Sequence, residues 1–374
     1  MATKTETMKA LVYKGVGKVA IEERPVPTIQ KPSDAVVKMV YSTICGTDLH
    51  ITKGDVPTAT PGRILGHEGV GIVTATGSNI SRFSPGDIVL VGCITICGTC
   101  AHCRRGMHSN CLDAGGWILG NAIDGTQAQY VRIPHADNSL HRVPKVEKER
   151  LRPLVMLSDT LPTGLECGAL NARVTPGSSV VIVGVGPVGL AALLTALLYS
   201  PGFVLVVDLD PERLAVARGM GAQYTATPDE AVETVMRLTE GKGCDAVIEV
   251  VGVPKTFELC QELVAPGGVI ANVGVHGEKV DLHLETLWSR NVSITTRLVD
   301  TVTTPMLLNL FAANKLPADK LITHSFPFTD IVAAYDTFRA ASKTKALKVI
   351  IDFEQDMQGA IAAGAGAGGM SAKL

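Results

Sequence analysis

The chain has 374 residues, 46% hydrophobic and 19% charged, long enough for about two domains. Lys and Arg total 34 against 36 Asp and Glu, a net charge of -2 with no long basic tract, which excludes the electrostatic footprint of a nucleic-acid or anionic-membrane binder. The length excludes a small disulfide-stapled scaffold. Met1 to Lys9 is polar and has no signal-peptide core, so the nine cysteines read as reduced thiols of a cytoplasmic protein.

From Lys9 to Ile133 short Val/Ile-rich runs are cut by Gly and Pro, as in Ala35 to Tyr41, Gly69 to Ala75 and Asp87 to Val91. Such runs predict an antiparallel or barrel-like domain. From Thr175 strands and helices alternate: Ser179 to Val183 with a helix after Gly186, Phe203 to Val207 with a helix from Pro211, then strands at Asp245 to Val250 and Val269 to Val273. This rhythm predicts a parallel sheet covered by helices. The longest apolar stretch, Val180 to Tyr199, is broken by Gly184, Gly186, Pro187 and Gly189, so it reads as strand, turn and helix and not as a membrane span.

After Thr296 helices at Met306 to Ala313 and Thr329 to Ala341 and a strand at Ala346 to Phe353 are expected to return to the first domain. Gly359 to Gly369 is a Gly/Ala run that reads as a flexible tail. It ends Ala372-Lys373-Leu374, one residue away from a Ser-Lys-Leu peroxisomal address, which a chance terminus explains more simply.

Cys97, Cys100, Cys103 and Cys111 give CxxCxxCx₇C. Four thiolates at that spacing suit a closed tetrahedral zinc site, with an iron-sulfur cluster or a redox disulfide pair as the other readings. Cys93 and His102 nearby read as bystanders, because the four regularly spaced cysteines already complete a tetrahedron. Cys167, Cys244 and Cys260 read as buried packing.

Gly184-Val185-Gly186-Pro187-Val188-Gly189 is a GxGxxG element between a predicted strand and a helix, where backbone amides at the helix start favour a pyrophosphate. Asp208, at the end of the next strand and 19 residues past Gly189, is placed to accept hydrogen bonds from ribose hydroxyls and to repel a 2′-phosphate. The expected cofactor is therefore NAD and not NADP. Helix capping is the other role open to Asp208, and Arg213, five residues on, suits either ribose or 2′-phosphate.

A dispersed set remains: Cys45 in Cys45-Gly46-Thr47-Asp48-Leu49-His50, His67 and Glu68 in Gly66-His67-Glu68, and Asp159 in Ser158-Asp159-Thr160. With Gly69-Val70-Gly71, Gly77 and Ile80 following His67-Glu68, and with the four-cysteine lobe, the chain from Lys9 to Phe353 resembles the zinc-dependent alcohol dehydrogenases of the medium-chain dehydrogenase/reductase family, nearest to its secondary-alcohol members.

The resemblance implies an α/β protein with a GroES-like, strand-rich catalytic domain and an inserted Rossmann-fold NAD-binding domain. Its expected limits are 1–160 with a structural zinc lobe at 93–115, 161–298 for the cofactor domain, 299–356 for the return, and 357–374 for the tail. It implies two zinc ions per chain. One is catalytic, on Cys45, His67 and Asp159 with one position open, Glu68 standing behind it and able to enter during ligand exchange. The other is structural, on the lobe cysteines. Many relatives carry Cys where this chain has Asp159, and several secondary-alcohol dehydrogenases carry Asp. Thr47 and His50 resemble a proton relay, Thr163 and Val188 flank the nicotinamide, and Lys348 falls where the family often places a base near the pyrophosphate, or else is a surface lysine. Trp117 either lines the substrate pocket or packs the lobe. The expected reaction is reversible oxidation of a primary or secondary alcohol with NAD, with a polyol, hydroxy-amino-acid or formaldehyde-adduct dehydrogenase and a non-catalytic NAD(H)-binding protein as alternatives. A homotetramer is expected, a dimer otherwise.

Overall fold

The computed structural model describes residues 6–144 and 146–354. The C-terminal run and its last tripeptide lie outside the described residues.

Two sheets carry the molecule. The first contains β3 (Ala35–Thr43), β4 (Gly69–Thr76), β5 (Ile88–Val91) and β7 (Leu140–Arg142), with β6 (Tyr130–Ile133) also pairing β3. The hairpin of β1 (Thr7–Gly15) and β2 (Lys18–Pro25) packs beside it. β3 buries nearly every residue because both its faces are covered, whereas β1 buries Met8 and Ala10 to Tyr13 and leaves Thr7, Lys9 and Lys14 exposed. The second sheet is wholly parallel, in the order β10 (Tyr224–Ala226), β9 (Phe203–Val207), β8 (Ser179–Val183), β11 (Cys244–Glu249), β12 (Val264–Asn272), β13 (Ser293–Thr296). Its central strands are Val/Ile runs flanked by helices such as Pro187–Ala196, Pro228–Leu238 and Pro254–Leu263. Each of these begins with Pro at its first position, where a missing N–H costs no bond. This is the doubly wound arrangement expected of the cofactor domain.

The chain returns to the first sheet through β14 (Ile322–Pro327) and β15 (Lys348–Asp352), which pairs antiparallel with β3 through Ile350 and Thr43. The helix expected at Met306 to Ala313 forms as Thr304–Ala312, and its Leu307, Leu308 and Phe311 pack in one core with Leu157, Leu161 and Leu190 and with Val40, Val70 and Ile350 of the first sheet. That core welds the two halves. Between them runs a cleft of about 920 Å³, lined from one side by Cys45, Thr47 and Asp159 and from the other by Val188, Asn272 and Val275.

Candidate active site and metal centres

Cys45 caps the helix Gly46–Lys53, and the Asp48 carboxylate receives the Cys45 N–H at 3.0 Å, so the sequence Cys45-Gly46-Thr47-Asp48 builds its own turn. His67 follows Gly66, whose φ is +91 and where an added Cβ would lie 2.9 Å from the Gln127 nitrogen; only glycine lets the chain turn there and aim the imidazole inward. Asp159 comes from the far side, in the segment that opens the buried turns running to Leu170.

These three converge. Asp159 Oδ2 lies 3.7 Å from Cys45 Sγ and 3.6 Å from His67 Nε2. Bond lengths of about 2.0 to 2.3 Å to a tetrahedral zinc give donor separations of just this size. Glu68 joins them: one donor atom from each of the four lies within 4.8 Å of the others. The pocket also attracts positive charge. Burial opposes protonation of His67, yet the Asp159 carboxylate, the Cys45 sulfur and Asp48 push its pKa well above the ordinary range. Cys45, His67 and Asp159 form a buried, electron-rich donor set that fits a divalent metal, while the Lys348 ammonium pairs with Glu68 behind them. His67 Nδ1 has no hydrogen-bond partner and faces Asp48 Oδ1 at 3.9 Å, where a carboxylate can orient a metal-bound imidazole.

Asp159 is held by its other oxygen. Oδ1 accepts the Thr163 hydroxyl at 2.8 Å and the Cys93 thiol at 3.3 Å. Burial, and after it the charge of Asp159, keep Cys93 protonated well beyond the usual thiol range, so it serves as a donor. Cys93 stays outside the lobe's donor set, as expected, but it has a role elsewhere, as a partner of Asp159. The regular spacing of four other cysteines hid it, and only the fold brings it to Asp159.

Lys348 also lies elsewhere than expected. It is 2% exposed, with Nζ 2.7 Å from Glu68 Oε1 and 3.3 Å from the Ile44 carbonyl, and it is not among the residues that line the cleft. Its ammonium points behind the donor set and not at a pyrophosphate, because β15 inserts beside β3 and turns this side chain into the core.

Thr47 and His50 both line the cleft; Thr47 Oγ1 is 3.6 Å from Cys45 Sγ, and His50 Nδ1 meets Asp55 Oδ2 at 2.9 Å. Trp117 packs edge-on to His67 at 6.2 Å and joins the cluster of Cys93, Cys167 and Val299, close to the pocket floor without lining the cleft.

On the cofactor side Gly186 caps the helix Pro187–Ala196, and Val188 faces the cleft. A Cβ on Gly189 would sit 2.0 Å from the Gly184 carbonyl oxygen, so the turn closes only with glycine. Asp208 is placed at the end of β9 and receives the Val185 N–H at 2.8 Å and the Asp210 N–H at 2.9 Å. It thus braces the glycine turn, a task the sequence did not reveal. Arg213 stands on the helix Pro211–Gly219, half-exposed.

The lobe gathers Cys97, Cys100, Cys103 and Cys111 as a second donor set within 4.8 Å. All four are free thiols, and Cys97 Sγ is 3.9 Å from Cys103 Sγ, far beyond a disulfide bond and close to the edge of a ZnS₄ tetrahedron. Backbone N–H groups of Cys97, Cys100, Cys103 and Leu112 point at the sulfurs at 3.4 Å, which stabilises thiolates. The donor set fits zinc. His102 binds the Asn110 carbonyl at 2.7 Å and stays outside it.

Residues 31–145 match the family model of the alcohol dehydrogenase GroES-like domain, and residues 187–313 that of the zinc-binding dehydrogenases. The chain is similar to zinc-type alcohol dehydrogenase B of Aspergillus flavus, 36% identical over 91% of this chain and 81% of that protein. Among solved structures it is similar to a zinc-dependent alcohol dehydrogenase 2 from Streptococcus pneumonia, 48% identical, covering 92% of this chain and 98% of that one with a TM-score of 0.87. It is likewise similar to an alcohol dehydrogenase from Thermus sp. ATN1, 32% identical, covering 92% and 99%, TM-score 0.85.

Proposed function

Because the chain belongs to the zinc-dependent alcohol dehydrogenases of the medium-chain dehydrogenase/reductase family, and is an oxidoreductase of that family with a nicotinamide cofactor, we propose that it oxidises primary and secondary alcohols reversibly with NAD, favouring secondary alcohols. The observation that carries this reading is the convergence of Cys45, His67 and Asp159, of which Cys45 and Asp159 line a cleft whose opposite wall is the glycine-turn helix and the ends of the parallel strands, where dinucleotides bind.

Cys45, His67 and Asp159 would hold a zinc ion, which would supply Lewis acidity for deprotonation of an alcohol, and the opposite wall of the cleft would hold the nicotinamide cofactor that serves as hydride acceptor. The chain's own residues do the rest. Cys45 and Asp159 bring two negative charges that match the cation. Thr47 passes a proton from the reacting hydroxyl, and His50 at the cleft edge releases it to solvent with Asp55 steadying the ring. Thr163 and Val188 set the nicotinamide against the donor set, Gly184, Gly186 and Gly189 make room for the pyrophosphate, and Asp208 favours an unmodified ribose. Arg213 lies close enough in sequence to contact the same ribose.

Association into a homotetramer, or a dimer, is supported by β13, whose outer edge is unpaired among the described residues, beside the exposed Leu284 and Trp288. A cytoplasmic setting is supported by nine unpaired cysteines. No helix among the described residues is long and apolar enough to cross a membrane.

The test is NADH formation by the zinc-loaded protein on matched primary and secondary alcohols, with NADP⁺ alongside. Turnover with NAD⁺, faster on secondary alcohols, is expected. Absence of turnover from protein holding two zinc ions would overturn the reading.

A further inference from the structure

The cysteine lobe closes one wall of the cleft. Arg105, Met107, Ser109 and Asn110, all between the lobe cysteines Cys103 and Cys111, line it opposite Val188 and Val275. A lobe that only stabilised the fold would not need to reach the cleft.

One residue fastens it there. Asp300, 3% exposed, lies in the segment that leaves β13 for the helix Thr304–Ala312. Its Oδ1 accepts both the N–H and the hydroxyl of Ser109 at 2.7 Å, and its carbonyl accepts His108 Nδ1–H at 3.0 Å. Its Oδ2 receives Arg297 through Nε at 3.1 Å and Nη2 at 2.7 Å. Its own N–H donates to Glu166 Oε2 at 2.8 Å, while Glu166 Oε1 takes the N–H and hydroxyl of Thr303. The next residue, Thr301, has φ of +59, a strained region for a β-branched side chain that persists only where its surroundings over-determine it. Arg297, Leu298, Val299 and Asp300 also line the cleft.

We propose that Asp300 is a positioning residue that clamps the metal lobe to the cofactor half of the molecule, so that the lobe's four-cysteine metal site sets how tightly the cleft holds its alcohol. The inference rests on the proposed alcohol chemistry but concerns binding and not the chemical step. Two charge-assisted bonds at 2.7 Å join Ser109 to Asp300, and loss of either partner leaves the other's polar groups without their match. The lobe wall then samples positions further from the cofactor. The donor set at Cys45, His67 and Asp159 is untouched, because no ligand atom bonds to this network.

The experiment is a double-mutant cycle on the zinc-loaded enzyme with Ser109→Ala, Asp300→Asn and the pair together, reading KM for the alcohol, kcat and zinc content. Each single variant is expected to raise KM about tenfold with kcat within about twofold and two zinc ions retained, and the pair to do no more than the worse single change. Removing only the lobe metal from the wild-type protein should raise KM by a similar factor, and should change little more in Asp300→Asn. Unchanged KM in Ser109→Ala, the milder substitution, or multiplicative effects in the pair would overturn the clamp. A fall in kcat alone with KM unchanged would also overturn it. Absence of turnover in the wild-type protein would instead strike the alcohol reading, and the clamp would then be read from cofactor binding by NADH fluorescence across the same variants.

Discussion

Lys348 Nζ and Glu68 Oε1 meet at 2.7 Å in the core, 2% and 1% exposed at the side chain, and Glu68 is next in sequence to His67 of the donor set. Burial penalises both charges, and each is the other's main compensation: burial and its neighbour Asp159 push Glu68 upward while Lys348 draws it down, and the Glu68 and Cys45 charges hold Lys348 in its ammonium form.

Removing one partner of a buried pair leaves an unmatched charge, at a cost of about 3 to 5 kcal/mol. Lys348→Met should therefore lower unfolding stability by that order, and Lys348→Met with Glu68→Gln should recover most of it. Urea titration checks both; a single-variant loss below about 1 kcal/mol would mean that water reaches the pair.

The thiol of Cys93 fixes one oxygen of Asp159 and leaves the other to face His67 and Cys45. Loss of such an outer partner typically weakens metal binding by about 10 to 100-fold. Cys93→Ala should do so in chelator competition and Cys93→Ser, which keeps a donor, should largely restore it. Asp159→Ala should lower the zinc content from two to one with the lobe metal kept, and two ions retained would defeat the ligand assignment.

Asp208 is proposed to meet the cofactor ribose, and it receives the Val185 and Asp210 N–H groups. Asp208→Asn removes the charge and keeps one acceptor oxygen, enough for one of the Val185 and Asp210 N–H groups, so the NAD over NADP preference in kcat/KM should fall by about tenfold or more while the fold is retained. An unchanged ratio would assign Asp208 to the turn alone.

His141 sits on β7 opposite Leu90 and is largely enclosed; burial, helped by the charges of Arg82 and His108, pushes its pKa down from 6.5 to about 4. Between those values the unfolded chain binds more protons than the folded one, so stability is present above pH 6.5 and is lost as pH falls toward 4. The loss is on the order of 1 to 3 kcal/mol. His141→Gln should flatten the pH dependence of the unfolding free energy over that window, measured by chemical denaturation; an equal slope in both proteins would remove His141 as its source.

The local order of the chain determined much of this. The period of Val and Ile told an antiparallel part from a parallel one, CxxCxxCx₇C marked the lobe, and Gly184 to Gly189 marked the cofactor turn, because turns, thiolate clusters and strand-helix units are built from residues close in sequence. Cys45, His67 and Asp159 were legible only by resemblance, since more than a hundred positions separate the first from the last. The tertiary structure alone decided what lies against them. β15 beside β3 sends Lys348 to Glu68 across 280 residues, the first sheet carries Cys93 to Asp159 across 66, and the crossover after β13 brings Asp300 to Ser109 across 191. No period or spacing encodes such contacts. They are fixed by which sheet edges pair and which faces must be buried, a property of the whole chain.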